Sequence, residues 1–197
     1  MYSVGMSTPE RLISATRDLL WERGYVGTSP RAIQQLAGAG QGSMYHHFRG
    51  KPELALAAIR RTADEMRGTA GRVLDGPGTA YERIAAYLLR ERDVMKGCPV
   101  GRLTMDPEVM ADGTLRAPVD ETLGWLRDRL TEIVREGTAG GGLRPGLDPS
   151  GTAAAVVATV QGGYVIARAT GSPAAFDAAV GGLLALLAPD DDRAPEA

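Results

Sequence analysis

The chain has 197 residues, 44% hydrophobic and 23% charged, values that fit a globular protein with a sizeable core and exclude wholesale disorder. A formal net charge of −2 makes it neither a polybasic tail nor an acidic solvating chain. The single cysteine, Cys98, excludes an internal disulfide, and the only histidines, His46 and His47, are too few for a Cys/His zinc cage, so no metal and no cofactor is expected.

The predicted elements are almost all helices. Pro9 and Glu10 open the first, with Thr8 placed to cap it, and Leu12, Ile13, Ala15, Thr16, Leu19 and Leu20 recur at helical spacing up to Gly24. Charged residues spread through this segment leave no apolar stretch for a signal peptide, and the expected location is cytoplasmic. Thr28-Ser29-Pro30 starts a second, short helix from Ser29 to Ala37. Gly38-Ala39-Gly40 breaks it, and a third runs from Gln41 to Phe48. Lys51-Pro52-Glu53 opens a long fourth helix towards Arg72. Further helices are expected over Thr79–Lys96, Leu103–Met110, Leu115–Glu136, Thr152–Thr170 and, after Gly171-Ser172-Pro173, up to Leu187. Gly137–Gly151, with six glycines and two prolines, reads as a loop. Thr152–Ala169 is apolar but broken by Gln161, Gly162, Gly163 and Arg168, which points to a buried helix and to no membrane span.

Charge divides unevenly along the chain. Residues 1–61 carry eight basic against four acidic residues, a net of +4, and the remainder carries −6. A basic first third suggests that it meets a polyanion. Three short helices with a glycine-containing turn between the second and third have the proportions of a helix-turn-helix. On the third, Gln41, Gly42, Tyr45 and His46 share one face, because 41/45 and 42/46 are four apart, while Met44, His47 and Phe48 fall on the other. A recognition helix needs this division: one side anchors it, and the other offers hydrogen-bonding groups to base edges and phosphates. Thr28 and Ser29 at the start of the second helix and Lys51 at the start of the fourth are placed for phosphates, and the basic Arg31 joins this candidate set.

The run Gly24-Tyr25, Thr28-Ser29, Ile33, Ala37-Gly38, Gly42-Ser43-Met44-Tyr45-His46-His47-Phe48 and Lys51 resembles the DNA-binding domain of TetR-family transcriptional regulators over residues 8 to about 60. The resemblance implies an all-α homodimer whose C-terminal domain binds a small molecule and thereby releases operator DNA. It also implies DNA contacts at Thr28, Gln41, Gly42, Ser43, Tyr45, His46 and Lys51. Gly40 stands where the family usually caps the recognition helix with Ser or Thr, and Gln34 where a small alanine is usual. Gly97-Cys98-Pro99-Val100 and the segment from Gln161-Gly162-Gly163-Tyr164 to Gly171-Ser172-Pro173 are similar to the LmrA-like branch, which answers to drugs or flavonoid-like aromatics.

The expected division is a helix-turn-helix domain at 1–51, a helical ligand-binding and dimerisation domain at 52–188, and a disordered tail at 189–197. The last two helices are apolar on more than one side and would pack against the same helices of a second copy. Candidate ligand contacts are Tyr87, Met95, Cys98, Met105, Met110, Trp125, Gln161 and Tyr164, flexible or aromatic side chains that suit apolar guests. No paired carboxylates or nucleophile motif suggests an enzyme. The alternative reading is an all-α small-molecule-binding or interaction module with a non-functional helix-turn-helix.

Overall fold

The structure is a computed structural model that describes residues 6–190, so residues 191–197 of the expected tail lie outside it. Its described residues form nine α-helices and no strand: α1 (Thr8–Arg23), α2 (Pro30–Ala37), α3 (Gln41–His47), α4 (Lys51–Leu74), α5 (Ala80–Leu89), α6 (Pro107–Ala111), α7 (Gly113–Gly140), α8 (Pro149–Thr170) and α9 (Ala174–Leu187). A single 3-10 turn, Gly101–Met105, precedes α6. They make two compact units interleaved in sequence. The first holds the residues up to Met66 with Cys98–Thr122, and the second holds Arg67–Gly97 with the residues from Leu123 onward.

In the first unit the helices begin and end where local chemistry dictates. Pro9 lies in the first turn of α1, and Gly24 ends it at φ +75°, a conformation that side-chain-bearing residues rarely adopt. The Ser29 hydroxyl accepts from the Ala32 N–H at 3.1 Å and caps α2. Gly40 caps α3 through its carbonyl alone, with no side-chain bond, as its composition implies. Leu12, Ala15, Leu19, Ile33, Ala37, Met44 and Leu54 then close one core among α1 to α4. Each large side chain buried here contributes roughly 1.5–3 kcal/mol. Gln34 does not hold α2 and α3 apart. Its amide reaches the Met44 sulfur at 3.3 Å and ties the two together.

The second unit departs from the expected boundaries at three helix ends, one of them the start of α8, which lies at Pro149 and not at Thr152. The helix foreseen over Thr79–Lys96 ends at Leu89, because the Arg92 guanidinium turns back to donate to the carbonyls of Tyr87 and Leu88 and satisfies the helix end. The helix foreseen to stop at Glu136 continues to Gly140, into the expected loop. Gly137 there packs so tightly that a Cβ would stand 2.5 Å from that of Ala80. At the start of α5, Thr79 and Glu82 form a reciprocal capping box. In the first unit, the predicted helix over Leu103–Met110 divides into the 3-10 turn and α6, with Asp106 between them.

α8 and α9 pack on each other, with Val156, Val160, Tyr164 and Ala167 buried on the first and Phe176, Val180 and Leu184 on the second. Tyr164 stacks on Phe176 with ring centroids 5.0 Å apart. α8 is 22 residues long and apolar enough, by length and composition, to cross a membrane, yet only a third of its most apolar window is buried. Within one chain it is therefore not the fully buried helix that its sequence suggests.

Candidate nucleic-acid interface

α3 is held by a single fully buried side chain, Met44, which inserts into the core of the first unit. With Met44 inward, helical geometry turns Gln41, Gly42, Tyr45 and His46 outward, and all four are exposed. Tyr45 keeps half of its surface accessible. Ser43 is half-buried beside them. His47 is exposed too, a correction to its expected place on the packed side. Seven residues make barely two turns, so only Met44 reaches the core, while His47 sits in the last turn edge-on to His46 at 4.9 Å. The outward face thus offers an amide, an open backbone, a phenol and two imidazoles, all able to hydrogen-bond.

Beside this face, Arg31, Gln34, Gln35, Gly38, Ala39, Gly40 and Gln41 line an open groove of about 490 Å³ along the turn between α2 and α3. Arg31 and Ser29 are exposed, the latter with its hydroxyl engaged in the α2 cap. Thr28 is different. It is 1% exposed, and its hydroxyl donates to the Gly24 carbonyl at 2.6 Å, so its work in the folded chain is to close the corner between α1 and α2.

Lys51 opens α4 with its ammonium 3.9 Å from the centroid of the Tyr25 ring. Burial, then the nearby carboxylates of Glu108, Asp112 and Asp106, push the Tyr25 phenol above its ordinary pKa, so the ring beneath the lysine stays neutral. Arg49, absent from the sequence candidates, leaves its side chain almost wholly exposed between α3 and α4. A basic residue in so short a connection was the available signal.

The candidate ligand residues are divided between the two units. In the second unit, Tyr87 and Tyr164 are buried and brought together by Arg92, which lies over the Tyr87 ring and donates to the Tyr164 hydroxyl at 3.3 Å. Arg92 is the organiser that the sequence did not reveal. Trp125 and Gln161 are half-buried, and Met95 is exposed. In the first unit Cys98 is buried, its sulfur accepting from the Gly101 N–H at 3.1 Å. Met110 is exposed and Met105 is 84% exposed, a placement that offers an apolar guest no enclosure at that side chain.

Models of known families match both halves of the chain. Residues 12–58 match the model of the bacterial regulatory proteins of the tetR family, and residues 79–183 match that of the tetracyclin repressor-like C-terminal domain. An uncharacterised HTH-type transcriptional regulator of Lactococcus lactis is 26% identical over 83% of this chain and 85% of its own. The HTH-type transcriptional regulator LmrA of Bacillus subtilis is 30% identical over 64% of this chain and 65% of its own. The chain also shares its fold with a cysteine-substituted form of the regulator CifR solved with 26-base-pair operator DNA, at a TM-score of 0.75 and 24% identity over 93% of this chain and 98% of that one.

Proposed function

Because the chain belongs to the TetR family of bacterial transcriptional regulators, whose members are not enzymes, we propose that it is a repressor that binds a palindromic operator as a homodimer and leaves it when a small apolar or aromatic molecule binds. One observation carries the DNA half of this reading. Met44 alone buries α3, and the opposite side presents Gln41, Gly42, Tyr45 and His46 to the outside. These groups suit base edges in a major groove, while Ser29, Arg31, Ser43, Lys51 and the exposed Arg49 suit the flanking phosphates. Thr28 supports them from inside by fixing the corner that precedes α2.

The dimer half rests on the outer side of α8 and α9. Ala154, Ala155, Ala158, Val165 and Ile166 on α8, with Gly181, Gly182, Ala185 and Leu186 on α9, are exposed and almost wholly apolar or small. Among the described residues, nothing beyond the neighbouring backbone of their own helix lies within 4 Å of where a Cβ would stand on Gly162, Gly181 or Gly182. Such a surface fits the same two helices of a second copy, giving a symmetric four-helix interface. Two recognition helices so linked would enter successive major grooves about 34–36 Å apart.

The effector half rests on Tyr87, Trp125, Gln161 and Tyr164 in the second unit, aromatic and amide side chains that suit an aromatic guest. Effector binding loosens the operator complex only as far as the effector prefers the unbound arrangement.

The experiment is selection of a preferred duplex from a random library by the purified protein, followed by titration against the selected and a scrambled sequence. Preference of about 10³-fold or more is expected. Equal affinity for both would identify a helix-turn-helix without reading function and leave the small-molecule-binding module as the explanation.

A further inference from the structure

The corner between α1 and α2 is held from outside the helix-turn-helix. The backbone N–H groups of Tyr25 and Val26 both donate to one carboxylate oxygen of Asp106, at 2.7 and 2.9 Å. The other oxygen accepts from the N–H groups of Glu108 and Val109 at 3.2 and 3.3 Å, capping α6. Asp106 is 8% exposed and stands some 80 residues away in sequence, in the part of the first unit contributed by Cys98–Thr122. Gly24 lets the carboxylate in, since a Cβ there would lie 2.9 Å from the same oxygen that receives the two N–H groups.

What hangs from this corner is the phosphate-facing edge of the site. The Tyr25 carbonyl accepts from the Thr28 N–H at 3.1 Å, and Thr28 leads directly into the Ser29 cap of α2. The Tyr25 ring carries the Lys51 ammonium at the start of α4. One buried carboxylate therefore fixes a backbone whose other contacts place α2 and Lys51. Its charge does not favour DNA. An acid in a unit that meets phosphates weakens binding by simple Coulomb repulsion, so its contribution has to come through geometry.

We propose that Asp106 is a positioning residue for operator binding: by clamping the Tyr25–Val26 backbone it holds Lys51 and the first turn of α2 against the phosphates. This rests on the DNA-binding function proposed above.

Asp106→Asn separates the two jobs of the carboxylate. Asparagine has one carbonyl oxygen for four N–H donors, so it keeps one pair of bonds and loses the other; amide hydrogen exchange at Tyr25 and Val26 shows which, and Asp106→Ser, a cap too short to span both pairs, takes its place where the clamp is the pair kept. The wild-type protein and the variant are titrated with the selected operator duplex over a series of salt concentrations. The variant is expected to bind about tenfold more weakly, with the slope of log K against log salt smaller by about 1.8, since each of the two subunits neutralises one phosphate fewer at about 0.9 each. Lys51→Ala should give the same slope, and Lys51→Ala added to Asp106→Asn should change it no further. Should Asp106→Asn fail to fold by circular dichroism, Tyr25→Leu, which keeps the clamp but removes the ring beneath Lys51, should reproduce the loss of slope. A wild-type slope with unchanged or tighter binding in the folded variant, or in Tyr25→Leu, overturns the proposal. Failure of the wild-type protein to select any duplex instead removes the function on which it rests.

Discussion

α3 in the first unit and the α8–α9 pair in the second both turn a continuous side to the outside, and the chemistry of those sides is opposite. α3 exposes an amide, a phenol and imidazoles, groups that exchange water for another hydrogen-bonding partner without penalty. α8 and α9 expose Val165, Ile166 and Leu186 among alanines and glycines, groups that gain only by leaving water. The first surface suits a polar, charged duplex and the second suits a copy of itself. Exposure alone says little about a partner; what is exposed says much.

The sharpest way to break this comparison is to give the apolar side the polarity of the other. Ile166→Asp with Leu186→Asp would bury unpaired carboxylates in the proposed four-helix interface, at about 3–5 kcal/mol, and weaken dimerisation 100-fold or more. Sedimentation equilibrium reads the outcome, with circular dichroism unchanged. A dimer of wild-type strength would place the interface elsewhere. The converse change is Tyr45→Ala, which trims the polar side. Operator affinity should fall about tenfold to 100-fold in a gel-shift titration while the dimer persists. Loss of the dimer instead would assign the ring to packing.

Two smaller changes sharpen the picture inside each unit. Arg92→Ala removes the group that closes the end of α5 and joins Tyr87 to Tyr164, and urea denaturation should show the chain less stable by about 1–3 kcal/mol. The smallest effect concerns alkaline pH. Since the folded chain holds the Tyr25 phenol above its ordinary pKa of 10.0, the stabilisation from this group is complete below that value. It declines as pH rises through the folded-state value. Tyr25→Phe should therefore lose less of its urea midpoint than wild type between pH 8 and pH 11.

The two halves of the site were unequally legible in the sequence. α1 to α3 could be located because their ends are set by neighbours in the chain: Pro9 and Gly24, Ser29 and Pro30, Gly38 and Gly40. The polar side of α3 follows from spacing once Met44 is the anchor. The placement of His47 does not, since a wheel drawn for a long helix assigns it a side that a seven-residue helix has no core to receive. The early end of α5 was illegible because Arg92 closes it by folding back onto carbonyls four and five residues before it. Asp106 falls inside the helix expected over Leu103–Met110, and in the fold it caps α6 instead. Its second job depends on a backbone some 80 residues away, and no local pattern announces that.

Operator recognition as proposed requires two copies of α3 reading one duplex from successive grooves. Hydroxyl-radical footprinting on the selected operator, with the stoichiometry read by light scattering, measures this directly. Two protected patches one helical turn apart, about 34–36 Å centre to centre, with two chains on each duplex and both patches lost in Tyr45→Ala, are the predicted result. A single patch occupied by one chain, or a footprint that Tyr45→Ala leaves intact, would contradict it.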